Sequence, residues 1–184
     1  MSAILTSGTL KAGPGFLRTR QITGLEERTG VQEYVAESPF SYEKNCLLYL
    51  PKTLEHCRRG SREEAVMVAN HIHSLICSTY GHTLVLFTSY TLMGSVYQIL
   101  RDSLPFPMVE VWRHSQEEIL RFKTMENGVL FAAGSCWEGV DFPGDMVSSL
   151  IIVKLPFAVP DPISEAEKET YDSLENYIQS IIVP

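Results

Sequence analysis

Apolar positions along the chain switch repeatedly between a helical and a strand-like spacing. Ala65, Val68, Ala69, Ile72, Leu75 and Ile76 repeat as one face of a helix. Ser61-Arg62-Glu63-Glu64 ahead of them reads as a capping box, in which the Ser61 hydroxyl and the Glu64 carboxylate each satisfy a free backbone amide. Gly81 supplies the left-handed position that ends the helix. Thr83-Leu84-Val85-Leu86-Phe87 is then continuously apolar, as in a strand buried on both faces of a parallel sheet. The alternation continues with a helix over 90–101, a strand over 108–112, and a helix over 115–125 with a second capping box at Ser115 and Glu118. Strands over 128–133 and 150–154 follow, and then a long amphipathic helix over 164–182. Upstream, Ala3-Ile4-Leu5-Thr6 reads as a short buried strand and Pro14 to Thr23 as a short helix closed by Gly24. Val31 to Phe40 and Cys46 to Leu50 read as extended. Strands separated by helices of about ten residues form a parallel sheet with right-handed crossovers. Ligands of such sheets bind beyond the carboxyl ends of the strands, so the loops after Phe87, Ala133 and Lys154 are expected to line one surface.

The length of 184 residues fits one domain. A composition of 45% hydrophobic and 20% charged residues is that of an ordinary soluble globular chain and excludes disorder for its bulk. Met1-Ser2-Ala3-Ile4-Leu5-Thr6 lacks the basic and apolar regions of a signal peptide. No apolar run approaches the ~18 residues of a membrane span, so the expected location is the cytoplasm, away from membranes. Cys46, Cys57, Cys77 and Cys136 stand far apart, without the pairing of a zinc or iron–sulfur site, and are expected to be free, mostly buried thiols. The net charge of −7 speaks against a broad basic nucleic-acid face. It leaves room for binding through backbone amides, hydroxyls and helix N-termini. The charge is uneven: Lys52, His56, Arg58, Arg59 and Arg62 cluster in what is expected to be a solvated loop, while Asp161 to Glu175 is acidic.

The segment richest in chemistry is Gly134-Ser135-Cys136-Trp137-Glu138-Gly139-Val140-Asp141-Phe142-Pro143-Gly144, directly after the strand that ends at Ala133. Its glycines let backbone approach a ligand closely. Glu138 and Asp141 suit accepting hydrogen bonds from a ribose, an arginine or a magnesium-bound water. Trp137 and Phe142 would be costly on a plain surface turn.

This stretch resembles helicase motif V of the DinG/XPD group of superfamily 2 DNA helicases, with its Trp-Glu-Gly-Val-Asp-Phe-Pro-Gly core. Ile4-Leu5-Thr6-Ser7-Gly8-Thr9-Leu10 is similar to motif III, and Leu84-Val85-Leu86-Phe87-Thr88-Ser89-Tyr90 to motif IV. Ile151-Ile152-Val153-Lys154-Leu155-Pro156-Phe157, with Asp161-Pro162, resembles the strand and loop after motif V. Ser38-Pro39-Phe40 with Leu48-Tyr49-Leu50-Pro51 fits the segment entering the second motor domain, so four motifs in register span nearly the whole chain.

The resemblance implies an α/β fold, a RecA-like (P-loop NTPase-type) three-layer domain with a mostly parallel sheet. It implies that residues 1–12 close a first motor domain and 13–184 form the second, truncated before motif VI. The implied function is that of the C-terminal motor domain of an ATP-dependent helicase in DNA repair or replication, coupling ATP hydrolysis to single-strand translocation and unwinding. Glu138, Gly139 and Asp141 would face the ATP cleft, and Ser7, Gly8 and Thr9 would relay the nucleotide state. Thr88, Ser89, Gly134 and Ser135 would contact single-stranded DNA; Trp137 is expected to pack, and Cys136 is given no role. The sequence contains no Gly-x-x-x-x-Gly-Lys-Ser/Thr phosphate loop and no Asp-Glu-Ala-His-like magnesium-binding strand end. ATP and Mg2+ are therefore expected to be held mainly by the first RecA-like domain of the same polypeptide, which also carries the family's iron–sulfur cluster. The chain ends at Val183-Pro184, about where the arginine-bearing motif VI would begin, so no complete catalytic set is expected in it. With neither phosphate loop nor arginine finger, it is expected to be inactive alone. One alternative is a non-catalytic nucleic-acid-binding or scaffold module on the same fold. A remoter one is a cysteine peptidase, since Gly134-Ser135-Cys136-Trp137 matches part of the papain-like signature. That nucleophile needs a helix N-terminus and a histidine far downstream, whereas the last histidine here is His114.

Overall fold

The computed structural model describes residues 3–8, 10–11, 15–52, 57–113, 116–134, 136–157 and 161–178. The elements in chain order are α1 (Leu17–Thr23), α2 (Tyr42–Asn45), α3 (Arg62–Ser78), β1 (Thr83–Phe87), α4 (Tyr90–Leu100), β2 (Met108–Val111), α5 (Gln116–Lys123), β3 (Val129–Ala133), a short 3-10 turn (Gly144–Val147), β4 (Ser149–Ile152), α6 (Pro162–Lys168) and α7 (Leu174–Tyr177). They fall into two units: Pro51–Pro156, and Met1–Leu50 with Phe157–Pro184.

Pro51–Pro156 holds the sheet. Its strand order is β2-β3-β1-β4, and all three pairings are parallel. Each connection between successive strands must therefore cross a face of the sheet. On one face Val85, Phe87, Val129, Phe131 and Ala133 bury against Ala65, Ala69, Ile72 and Ile76 of α3 and Met93, Val96 and Leu100 of α4. On the other, Leu84, Leu86, Val109, Val111, Leu130 and Ala132 bury against Phe122 of α5 and Cys136, with Trp137, Val140 and Phe142 packed alongside. The result is a three-layer α/β/α domain, with β1 and β3 buried along their whole length.

The ends of α3 show how local sequence sets the register. The Ser61 hydroxyl accepts the Glu64 amide at 3.1 Å, while the Glu64 carboxylate takes the amide of Gly60 at 2.6 Å, one residue before the partner of a standard capping box. Past the helix, Gly81 (φ 81°) returns its amide to the Ile76 carbonyl at 3.1 Å. A Cβ on Gly81 would lie 2.1 Å from the Asn127 carbonyl oxygen, so only glycine lets the chain enter β1 here. The box expected at Ser115 falls outside the described residues.

Met1–Leu50 with Phe157–Pro184 departs from the expectations. Residues 3–8 form no strand, and Ile4 is 93% exposed. A four-residue apolar run gains strand hydrogen bonds only from a neighbour, and no strand pairs with it among the described residues. Residues 31–40 and 46–50 likewise join no sheet. α1 forms as expected and closes at Gly24 (φ 69°). The long helix expected over 164–182 is instead two short ones. Asp161 starts α6 early by accepting the amides of Ile163 and Ser164 at 2.8 and 2.9 Å. The helix stops near Glu169, and Ser173 caps α7 by accepting the Asn176 amide at 3.1 Å. Thr170, Asp172 and Ser173 are poor helix-interior residues whose side chains compete for the backbone, which is why the break falls there. The thiols also differ from expectation: Cys46 is exposed, Cys57 and Cys77 half-buried, and Cys136 alone buried.

Candidate functional site

β1 and β3 are neighbours whose last residues, Phe87 and Ala133, are register partners. The chain therefore leaves the carboxyl edge at two adjacent points, Thr88 and Gly134. Thr88 and Ser89 are exposed. The Ser89 hydroxyl caps α4 by accepting the Leu92 amide at 3.3 Å, which leaves its own hydrogen free to donate. Gly134 holds φ at 73°, and a Cβ there would meet the Tyr90 hydroxyl at 2.8 Å.

The loop over 136–144 is fastened at its start and open beyond it. The Trp137 indole donates to the Phe87 carbonyl at 3.3 Å, so the loop after β3 is tied to the end of β1. Its ring and Phe142 pack on the second core face, and Phe142 meets Phe122 edge-on at 5.5 Å. Trp137 thus packs, as expected. The same packing accounts for two aromatic side chains in a loop.

Between these anchors Glu138, Gly139 and Asp141 are exposed. Among the described residues neither carboxylate has a hydrogen bond or ion pair, and Gly139 (φ 74°) has open space where a Cβ would stand. Two unengaged carboxylates flanking an uncrowded glycine fit a ligand that brings hydroxyls, a guanidinium or magnesium-bound water. Among the described residues no three His, Cys, Asp or Glu side chains come together to hold a metal ion.

Cys136 has the opposite character. It is buried, its φ of 69° lies in the left-handed region, and burial pushes its thiol pKa up. A nucleophilic cysteine needs a lowered pKa and access, so the peptidase alternative finds no support in this geometry.

Thr88, Ser89 and Gly134 thus share the carboxyl edge of one sheet, whose last strand is bound there through the Val153 amide and the Leu86 carbonyl at 3.0 Å, and Glu138 follows Trp137, which is tied to that edge. Gly139 and Asp141 lie further along, where the loop runs towards the amino ends of the strands: Phe142 meets Phe122 beside Gly128, and the Ser148 amide bonds the His82 carbonyl. Ser7 and Gly8 belong to the other unit and are exposed; Thr9 and Ser135 lie outside the described residues. Two side chains outside the motifs also reach this edge. Trp112 stacks on Tyr90 with ring centroids 5.5 Å apart, and the Arg113 guanidinium lies 5.6 Å from the Tyr90 ring centre. Their signal in the sequence is an aromatic-basic pair immediately after a strand.

Residues 72–180, more than half of the chain, match the family of the helicase C-terminal domain. The chain is 30% identical to the 3'-5' exonuclease DinG of Bacillus subtilis, over 91% of this chain and 19% of that protein. It is 34% identical to the ATP-dependent DNA helicase YoaA of Haemophilus influenzae, over 90% of this chain and 26% of that protein. It is 32% identical to the ATP-dependent DNA helicase DinG of Photobacterium profundum, over 99% of this chain and 27% of that protein. The chain therefore spans between about a fifth and about a quarter of these relatives' length. The match over the sheet, together with the relatives of DinG and YoaA type, identifies the chain as a member of the helicase C-terminal domain family, with the RecA-like architecture that its sequence implies.

Proposed function

We propose that this chain is the second RecA-like motor domain of an ATP-dependent DNA helicase of the DinG type, which couples ATP hydrolysis to movement along a single strand and to duplex unwinding. The observation that carries the reading is the loop that leaves the carboxyl edge after β3: anchored at Trp137, it presents Glu138 and Asp141 exposed and, among the described residues, without partners. Isolated carboxylates in a fastened loop have no structural task within the domain. They suit contacts made when a second body closes on a nucleotide.

In this reading Glu138, Gly139 and Asp141 form one wall of the ATP cleft, whose other wall, with the phosphate and Mg2+ ligands, belongs to the first RecA-like domain of the same polypeptide. Ser7, Gly8 and Thr9 relay nucleotide state to that domain. Thr88, Ser89, Gly134 and Ser135 hold the backbone of single-stranded DNA through hydroxyls and amides, contacts that position a strand without reading its sequence. Glycine at 134 makes room for the Tyr90 hydroxyl beside that backbone.

The test is Asp141→Asn in the full-length protein. Asparagine keeps the shape and removes the charge, and an exposed site changes stability by at most about 0.5 kcal/mol. Contacts made only in the closed state lower turnover instead. The expected result is unchanged melting and single-strand binding, with DNA-stimulated ATP hydrolysis lowered about tenfold, a barrier increase of about 1.4 kcal/mol. Glu117→Gln on the exposed side of α5 serves as the control. Wild-type hydrolysis by the Asp141→Asn protein would remove the loop from the mechanism.

A further inference from the structure

The end of β2 carries side chains that neither the motifs nor the family match assigns. Trp112 follows the last residue of β2 and is 44% exposed, a costly position for an indole that does nothing. Its placement is built. The Tyr90 ring lies parallel to it, 15° between planes, at 5.5 Å. Gly94, one helical turn after Tyr90, lies beneath it: a Cβ there would stand in ordinary contact with the indole at 3.6 Å. β3 separates β1 from β2, so Tyr90 must pass above the end of β3 to reach Trp112. Gly134 permits this, since the Cβ of any larger residue would lie only 2.8 Å from the Tyr90 hydroxyl. Arg113 adds a guanidinium 5.6 Å from the centre of the Tyr90 ring, and no carboxylate pairs with it among the described residues.

We infer that Trp112 is a base-stacking platform and Arg113 a phosphate contact for a single-stranded nucleic acid, continuing the strip that starts at Thr88, Ser89 and Gly134; this rests on the nucleic-acid reading above. Hydroxyls and amides at the ends of β1 and β3 can hold only the backbone. An exposed indole braced from behind by a second ring holds a base, without sequence preference, because every base has a π-face. The cation beside the pair complements the phosphate that joins that base to the next.

The 184-residue chain can test this directly with oligothymidylate and an abasic oligomer of the same length. In a Trp137→Phe background Trp112 is the sole indole, since the chain has two tryptophans. The expected results are that oligothymidylate quenches its fluorescence, that the abasic oligomer does not, and that the abasic oligomer binds more weakly. Trp112→Ala is expected to weaken oligothymidylate binding about tenfold, towards the abasic level, while leaving abasic binding unchanged. Trp112→Phe, which keeps a ring, is expected to restore most of the affinity. Arg113→Gln is expected to weaken both oligomers and to lower the salt dependence by about one phosphate contact. Full affinity of Trp112→Ala for oligothymidylate, without quenching in the single-tryptophan protein, would overturn the platform while leaving the nucleic-acid reading in place. Failure of either oligomer to bind the unmodified chain, even at low salt, would overturn both.

Discussion

Cys136 sits at the root of the candidate loop and bears no resemblance to a reactive thiol. Burial raises its pKa, so at neutral pH the thiolate that attacks an alkylating reagent is scarcer than at an ordinary cysteine. Its side chain is also buried in the second core cluster. Cys46, in the other unit, is exposed. Timed iodoacetamide labelling read by mass spectrometry is therefore expected to modify Cys46 first and Cys136 last, with Cys136 reacting readily only after denaturation. Rapid labelling of Cys136 in the folded protein would contradict the packing described for the loop. At this scale the sequence is informative where chemistry is local. The spacing of Glu138 and Asp141 and the glycines around them mark the loop. The Tyr90–Trp112 stack is not legible, because it joins positions brought together only by a parallel sheet that places β3 between them.

At the level of elements the sheet is readable to within two residues at every strand end. The apolar run Thr83–Phe87 coincides with β1, because a strand buried on both faces leaves an unbroken apolar signature. The expectations that failed share a cause: the strand expected over 3–6 has no pairing partner among the described residues, and the helix expected over 164–182 yields to the side chains of Asp161 and Ser173. Periodicity reports which faces are apolar, not whether a neighbour exists or where a capping side chain restarts the chain. The junction of α3 with β1 gives a sharper test. Ala at position 81 would have to hold a left-handed φ, costing about 1–2 kcal/mol. It would also force its Cβ into the Asn127 carbonyl, and overpacking of that kind costs about 1–3 kcal/mol more. Gly81→Ala is expected to lower unfolding free energy by about 3 kcal/mol in a urea titration, whereas Gly139→Ala, with open space around it, pays only the left-handed term. Equal stability of the two variants would mean that the α3–β1 turn is not built as described.

For the molecule as a whole, the net charge of −7 limits how a nucleic acid can be held. A strand bound by a few hydroxyls, amides and Arg113 neutralises few phosphates, and each single-strand phosphate contact contributes about −0.7 to the slope of log affinity against log salt. With about three such contacts, raising salt about threefold is expected to weaken binding about tenfold, from an already modest affinity. Fluorescence anisotropy with labelled oligothymidylate at two salt concentrations measures this. The same preparation is expected to release no phosphate from ATP above background, with or without DNA. Its sequence contains no phosphate loop, and Glu138 and Asp141 supply only one side of a cleft. The two measurements separate the functional classes. Weak, salt-sensitive binding without turnover fits one half of a motor. Nanomolar binding indifferent to salt would make the domain a dedicated nucleic-acid-binding module. Robust turnover would mean that this chain carries a complete nucleotide site, and the assignment of Glu138 and Asp141 to half of one would fall.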